Sequence, residues 1–172
     1  NTSAETSPQL FHLLDVTETK IDFANEVTDG DNFNILTYRN FYNGGGVAIG
    51  DINNDSLPDI YFTANQKKNK LYLNKGNFVF EDITDKAGVG GNMQWSTGVT
   101  MADVNADGLL DIYVCNSGDV DRNHKKNELF INNGNGSFTD KAEEMGVADE
   151  GFSTHAAFFD YDRDGDLDLF VV

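Results

Sequence analysis

The chain carries 172 residues, 39% apolar and 12% aromatic, with 29 acidic side chains against 12 basic ones and a formal charge of −17. That length buries a real core, and the aromatic content argues against disorder. The acidic excess excludes the Lys/Arg footprint that a nucleic-acid partner requires, and no apolar run is long enough for a transmembrane helix.

The start at Asn1-Thr2-Ser3 reads as a mature or trimmed end, with no visible signal peptide and a mobile polar lead of about eight residues. "LLDVTETK" (13–20) echoes a motif found later and reads as the end of an earlier unit. Next comes "GVAIG" (46–50), then the acidic stretch "DINNDSLPD" (51–59), then "IYFTA" (60–64). Short β-branched and aromatic runs bounded by Gly and Asn predict strand, acidic turn, strand. The order recurs as "GVTMA", "DVNADGLLD" and "IYVCN" (98–116), and again as "HAAFF", "DYDRDGDLD" and "LFVV" (155–172).

A second motif separates the acidic stretches. "KKNKLYLNKGNFVFEDITDKAGV" (67–89) aligns without a gap on "KKNELFINNGNGSFTDKAEEMGV" (125–147). Each copy predicts a hairpin turning at Lys75-Gly76 or Asn133-Gly134, then a helical turn ending at Gly88 or Gly146. Extra residues in the second copy fall in "SGDVDRNH" (117–124), where insertions are cheap. The unit, about four short strands repeating after roughly 55 residues, has the length of a propeller blade. The expected fold is therefore all-β: a β-propeller fragment of about three four-stranded blades. The expected divisions are 1–40 (lead and end of a preceding blade), 41–89, 90–147, and 148–172 as a truncated third. A closed propeller needs more blades than this, so the exposed edges predict self-association or completion by another chain.

The acidic stretches follow D-x-[DN]-x-D-[GS]-x-x-D. Oxygens at positions 1, 3 and 5 converge when the backbone wraps round a point, position 7 offers a carbonyl, and a last carboxylate closes the cage. Such all-oxygen ligation suits Ca²⁺, while the lack of His and Cys disfavours zinc and copper. An EF-hand would need Glu at position 12, which here is Phe62, Val114 and Val171. Asp59, Asp111 and Asp168 at position 9 close the cage instead. Three acidic side chains lie in each of the first two loops and five in the third, so three divalent ions would offset six charges. Ser56 stands in loop one where Gly108 and Gly165 stand in the others, so loop one is expected to bind weakest.

These loops, followed by "NKLYLNKGNFVFEDITDKAGV", resemble FG-GAP/VCBS repeats. Such repeats build the propeller of integrin α-subunits and occur in cartilage acidic protein and related bacterial surface proteins. The resemblance implies three Ca²⁺ sites. Site one would use Asp51, Asn53, Asp55, the Leu57 carbonyl and Asp59. Site two would use Asp103, Asn105, Asp107, the Leu109 carbonyl and Asp111. Site three would use Asp160, Asp162, Asp164, the Asp166 carbonyl, with that side chain turned away, and Asp168. It also implies a secreted or surface-anchored adhesion or ligand-binding module with a protein or glycan partner.

The alternative is a polysaccharide lyase or hydrolase on a propeller scaffold, with its active residues mostly outside this chain. Repetition argues against it, because an active site is needed once and no nucleophile signature appears. His12, His124 and His155 are scattered, and His155 occupies the place of Gly46 and Gly98, which points to packing. Trp95 and Tyr42, before equivalent strands, read as core or rim packing rather than a ligand platform. The lone Cys115 reads as a buried strand residue, and Asp119 and Asp121 as part of a solvated loop. Sequons at Asn1, Asn54 and Asn135 matter only in a glycosylating host, and Asn54 lies inside a proposed metal loop.

Overall fold

The computed structural model describes residues 10–92, 95–118 and 125–172; the polar lead, Asn1, Asp119, Asp121 and His124 lie outside them. β1 (Val47–Gly50), β2 (Asp59–Phe62), β3 (Lys70–Asn74) and β4 (Phe80–Asp82) form one antiparallel sheet in sequence order. β5 (Ser96–Ala102), β6 (Asp111–Asn116), β7 (Glu128–Asn132) and β8 (Phe138–Asp140) form a second, and β9 (Ala156–Phe159) pairs with β10 (Asp168–Val171) as a third. The protein is all-β, built from three antiparallel sheets, none of which closes on itself.

Period-two alternation explains how the sheets stack. In β6 every residue is buried: Ile112 and Val114 join a cluster with Tyr61 and Leu71 of the first sheet, while Tyr113 and Cys115 join Phe158, Leu169 and Val171 of the third. A strand apolar on both faces must be covered on both, so the second sheet is the middle layer. The far face of the first sheet is covered in part, at Phe62 and Tyr72, by Asp22 and Phe23 and leaves Val47 and Ile49 exposed, while that of the third leaves Phe159 and Phe170 exposed.

The second motif supports its own strands. Asn69 and Asn127 each accept a backbone N–H through Oδ1, from Ala64 and Asn116 respectively, where the chain leaves β2 and β6. The hydroxyls of Tyr61 and Tyr113 donate to the carbonyls of Val89 and Val147, pinning the end of the motif beneath its sheet. After β4, the helical turn α2 (Thr84–Ala87) ends at Gly88, whose φ of +76° only glycine adopts freely. In the second copy the same place is an unassigned turn closed by Gly146 at φ +73°. Asp82 accepts from Thr84 N one residue before the N-cap position of α2, Ile83, whereas Asp15 is itself the N-cap of α1 (Val16–Thr19) and accepts from Thr17 N.

From α1 the chain runs along the first sheet without becoming a strand. Phe23 stacks on Phe62 at 4.9 Å, Tyr72 donates its hydroxyl to Asp22, and Asn25 and Asn65 exchange two hydrogen bonds. Phe33, Tyr38 and Phe41 then gather round Trp95, which is 2% exposed. Trp95 is thus a packing residue, as the sequence predicted, while Tyr42 is exposed and donates to Asp29.

Glycines set the spacing of adjacent first strands. A Cβ on Gly46 would meet Thr97 O at 2.8 Å, and one on Gly98 would meet Thr154 O at 2.5 Å and His155 Cα at 2.8 Å. Gly98→Ala should therefore force the second and third sheets apart at a cost of about 1–3 kcal/mol, read as a lower urea midpoint. Cys115 offers a second readout, since burial pushes its thiol up to about 12 and hides it. The wild-type thiol should resist alkylation, and G98A should react at lower urea.

Candidate metal centres

Each acidic stretch connects the first two strands of a sheet, and its register is the same in all three. Gly50 faces Asp59, Ala102 faces Asp111 and Phe159 faces Asp168, so the residue before position 1 always pairs with position 9. The ladder thus fixes both ends of the loop before any ion is considered.

Inside each loop the carboxylates take up backbone N–H groups. The N–H of position 5 donates to the position 1 carboxylate: Asp55 to Asp51 at 3.1 Å, Asp107 to Asp103 at 3.0 Å and Asp164 to Asp160 at 3.2 Å. It also donates to the position 3 oxygen of Asn53, Asn105 or Asp162. Position 6 donates to the other position 1 oxygen, and position 7 (Leu57, Leu109 or Asp166) donates to the position 5 carboxylate. These bonds bend the chain so that the oxygens of positions 1 and 3 turn toward one centre.

Two residues per loop adopt left-handed φ. Position 6 does so at Ser56 (+68°), Gly108 (+86°) and Gly165 (+97°), as the glycine preference predicted. Position 4 does so as well, at Asn54 (+58°), Ala106 (+57°) and Arg163 (+65°). Sequence reading missed this, because only Asn54 is of a type that favours the region.

Position 9 differs from the rest in being buried. Asp59 and Asp111 are fully buried, and each accepts two backbone N–H bonds, from Ile52 and Asn74 and from Val104 and Asn132 respectively. Burial pushes both carboxyls up, and the two donors oppose that shift without cancelling it. Asp168 is only partly buried and accepts from Tyr161 N at 2.7 Å.

The donor chemistry fits a hard divalent cation. Among the described residues, Asp160, Asp162 and Asp168 bring three carboxylate oxygens within 4.8 Å of one another. Loops one and two carry an amide at position 3, so their charge is lower, and Asn53 and Asn105 donate to Asp55 and Asp107. Asp164 pushes the Asp166 carboxyl up, chiefly through a hydrogen bond that the protonated Asp166 donates to it.

A second concave feature, a cleft of about 280 Å³, lies beside the first strands and is lined by Tyr38, Trp95, Thr97 and His155 among others. The Tyr38 hydroxyl is engaged with Ser117, and His155 is exposed there.

Repeated strand–acidic loop–strand units of one register define a class of β-repeat proteins. A profile of the FG-GAP-like repeat matches residues 51–114 and again 115–171, and the chain belongs to that family. It is similar to cartilage acidic protein 1 of Xenopus tropicalis, 31% identical over 159 residues, which covers 92% of this chain and 24% of that protein. The same protein of Mus musculus is 41% identical over 69 residues, covering 40% of this chain and 11% of that one. The chain thus spans about a quarter or less of the relatives it matches.

Three substitutions test the loop geometry. Ser56→Gly should stabilise the protein by about 0.5–1 kcal/mol by relieving the left-handed backbone, measured by urea denaturation. Asp111→Ala strands two N–H groups and should cost about 2–4 kcal/mol even in chelator. Asp162→Ala, on the surface, should change the stability of the chelated protein by less than about 0.5 kcal/mol.

Proposed function

We propose that the chain is a calcium-binding, non-enzymatic extracellular module whose three acidic loops hold structural Ca²⁺. The observation that carries this reading is the same all-oxygen donor pattern built three times in one register, with three carboxylates converging in loop three. Site one is Asp51, Asn53, Asp55, Asp59 and the Leu57 carbonyl. Site two is Asp103, Asn105, Asp107, Asp111 and the Leu109 carbonyl. Site three is Asp160, Asp162, Asp164, Asp168 and the Asp166 carbonyl. A bound ion neutralises carboxylates that otherwise repel one another, so binding contributes folding free energy.

The sheets are the blades of a propeller on this reading, with units at 41–89, 90–147 and 148–172 and the end of a further unit within 1–40. Family membership and the stacking of the sheets support it. The module serves adhesion or recognition of a protein or glycan. The open faces at Val47 and Ile49 and at Phe159 and Phe170 are surfaces for a further sheet, including one from a second copy. No helix among the described residues is long and apolar enough to cross a membrane.

Thermal melts in Ca²⁺, Mg²⁺ and chelator test the proposal. Calcium at about 100 times a site's dissociation constant contributes about 2.7 kcal/mol through that site. Extracellular modules bind at roughly 10⁻⁴–10⁻³ M, so millimolar calcium and above is the range to use. A calcium-selective rise in melting temperature is expected; identical melts in calcium and chelator would overturn the reading.

A further inference from the structure

Two hydrogen-bonded links join loops one and two. Asn132, 5% exposed at the end of β7, donates its backbone N–H to Asp111 at 2.8 Å and its side-chain amide to the Ile52 carbonyl at 2.8 Å. The N–H of Ile52 in turn donates to Asp59 at 3.0 Å. A continuous path therefore runs from the closing carboxylate of one loop, through Ile52 and Asn132, to the closing carboxylate of the next. Nearer solvent, the Asn54 amide at position 4 of loop one donates to the Gly108 carbonyl at position 6 of loop two, at 3.0 Å.

Asn132 and its counterpart Asn74 each also donate the side-chain amide to position 8 of their own loop, at Leu110 and Pro58. The Asn54 link, by contrast, is particular to this pair of loops. Position 4 of loop two is Ala106, which has no side-chain donor to reach loop three.

We infer that sites one and two form a cooperative pair, coupled by Asn54 and Asn132. This rests on the calcium reading above. An ion at either loop fixes the peptide that the other loop hydrogen-bonds, so the second ion meets a loop already ordered. Coupling through binding is reciprocal, so each ion must help the other by the same factor. Two hydrogen bonds place that factor at about five- to tenfold, the low end of the usual range. Asn54 and Asn132 are positioning residues, since neither is among the residues that would hold an ion.

Calorimetric calcium titrations of the full chain decide it. In an Asp162→Ala background, which silences site three, Asp55→Ala leaves only site two and Asp107→Ala leaves only site one. The overall constant for the two ions in D162A should exceed the product of the two single-site constants by about five- to tenfold. Asn54→Gly keeps the left-handed backbone and removes only the amide, so it should lower that factor without lowering thermal stability in chelator. Asn132→Ser should lower it further. A ratio of one, with both ions still bound, overturns the coupling and leaves the calcium sites standing. An undiminished factor in N54G and N132S overturns the assigned path. Absence of any calcium heat would sink the calcium reading itself.

Discussion

The buried aspartate at position 9 is the constraint on which the rest of the molecule depends. Asp59 and Asp111 begin the second strand of their sheets, pair with the residue before the loop, and accept N–H groups from both the loop and the end of the third strand. One side chain thereby joins three segments, and it does so inside the protein, where the two hydrogen bonds offset the penalty of burying a carboxylate. The loop's curvature, the entry to β2 or β6 and the end of β3 or β7 all refer to this oxygen pair. A cage for an ion then needs only surface carboxylates added around a fixed corner.

This division of labour separates two kinds of acid. The outer oxygens at positions 1, 3 and 5, carboxylate or amide, accept only N–H groups of their own loop. The closing carboxylate belongs to the core. The outer groups lie nearer solvent, whereas the inner group accepts from the loop and from the end of the third strand at once.

Much of this was legible in the residues. The short apolar run Ile112 to Cys115 marked a strand, and its alternate positions Ile112/Val114 and Tyr113/Cys115 prove to be covered on opposite faces. The repeated D-x-[DN]-x-D-[GS]-x-x-D marked both the hairpins and their acidic side chains. What stayed hidden lacks periodicity or a residue signature. Position 4 bends left-handed as Asn, Ala and Arg, so no residue type betrays it. The segment from Ile21 to Thr28 is held by asparagine pairs and one aromatic stack, contacts whose partners lie some forty residues away in sequence. The link from Asn132 to Ile52 crosses between units that the sequence presents as equivalent copies.

The shared register also governs where such a chain can change in length. A residue added inside an acidic loop would break the pairing of position 9 and turn every later side chain of its strand to the opposite face. The connection between β6 and β7 carries no such obligation, and there the second unit is longer than the first. Growth and divergence of the repeat are thereby steered to the side of each sheet away from its acidic loops. A lineage can remodel that side freely while its acidic hairpins stay fixed in length.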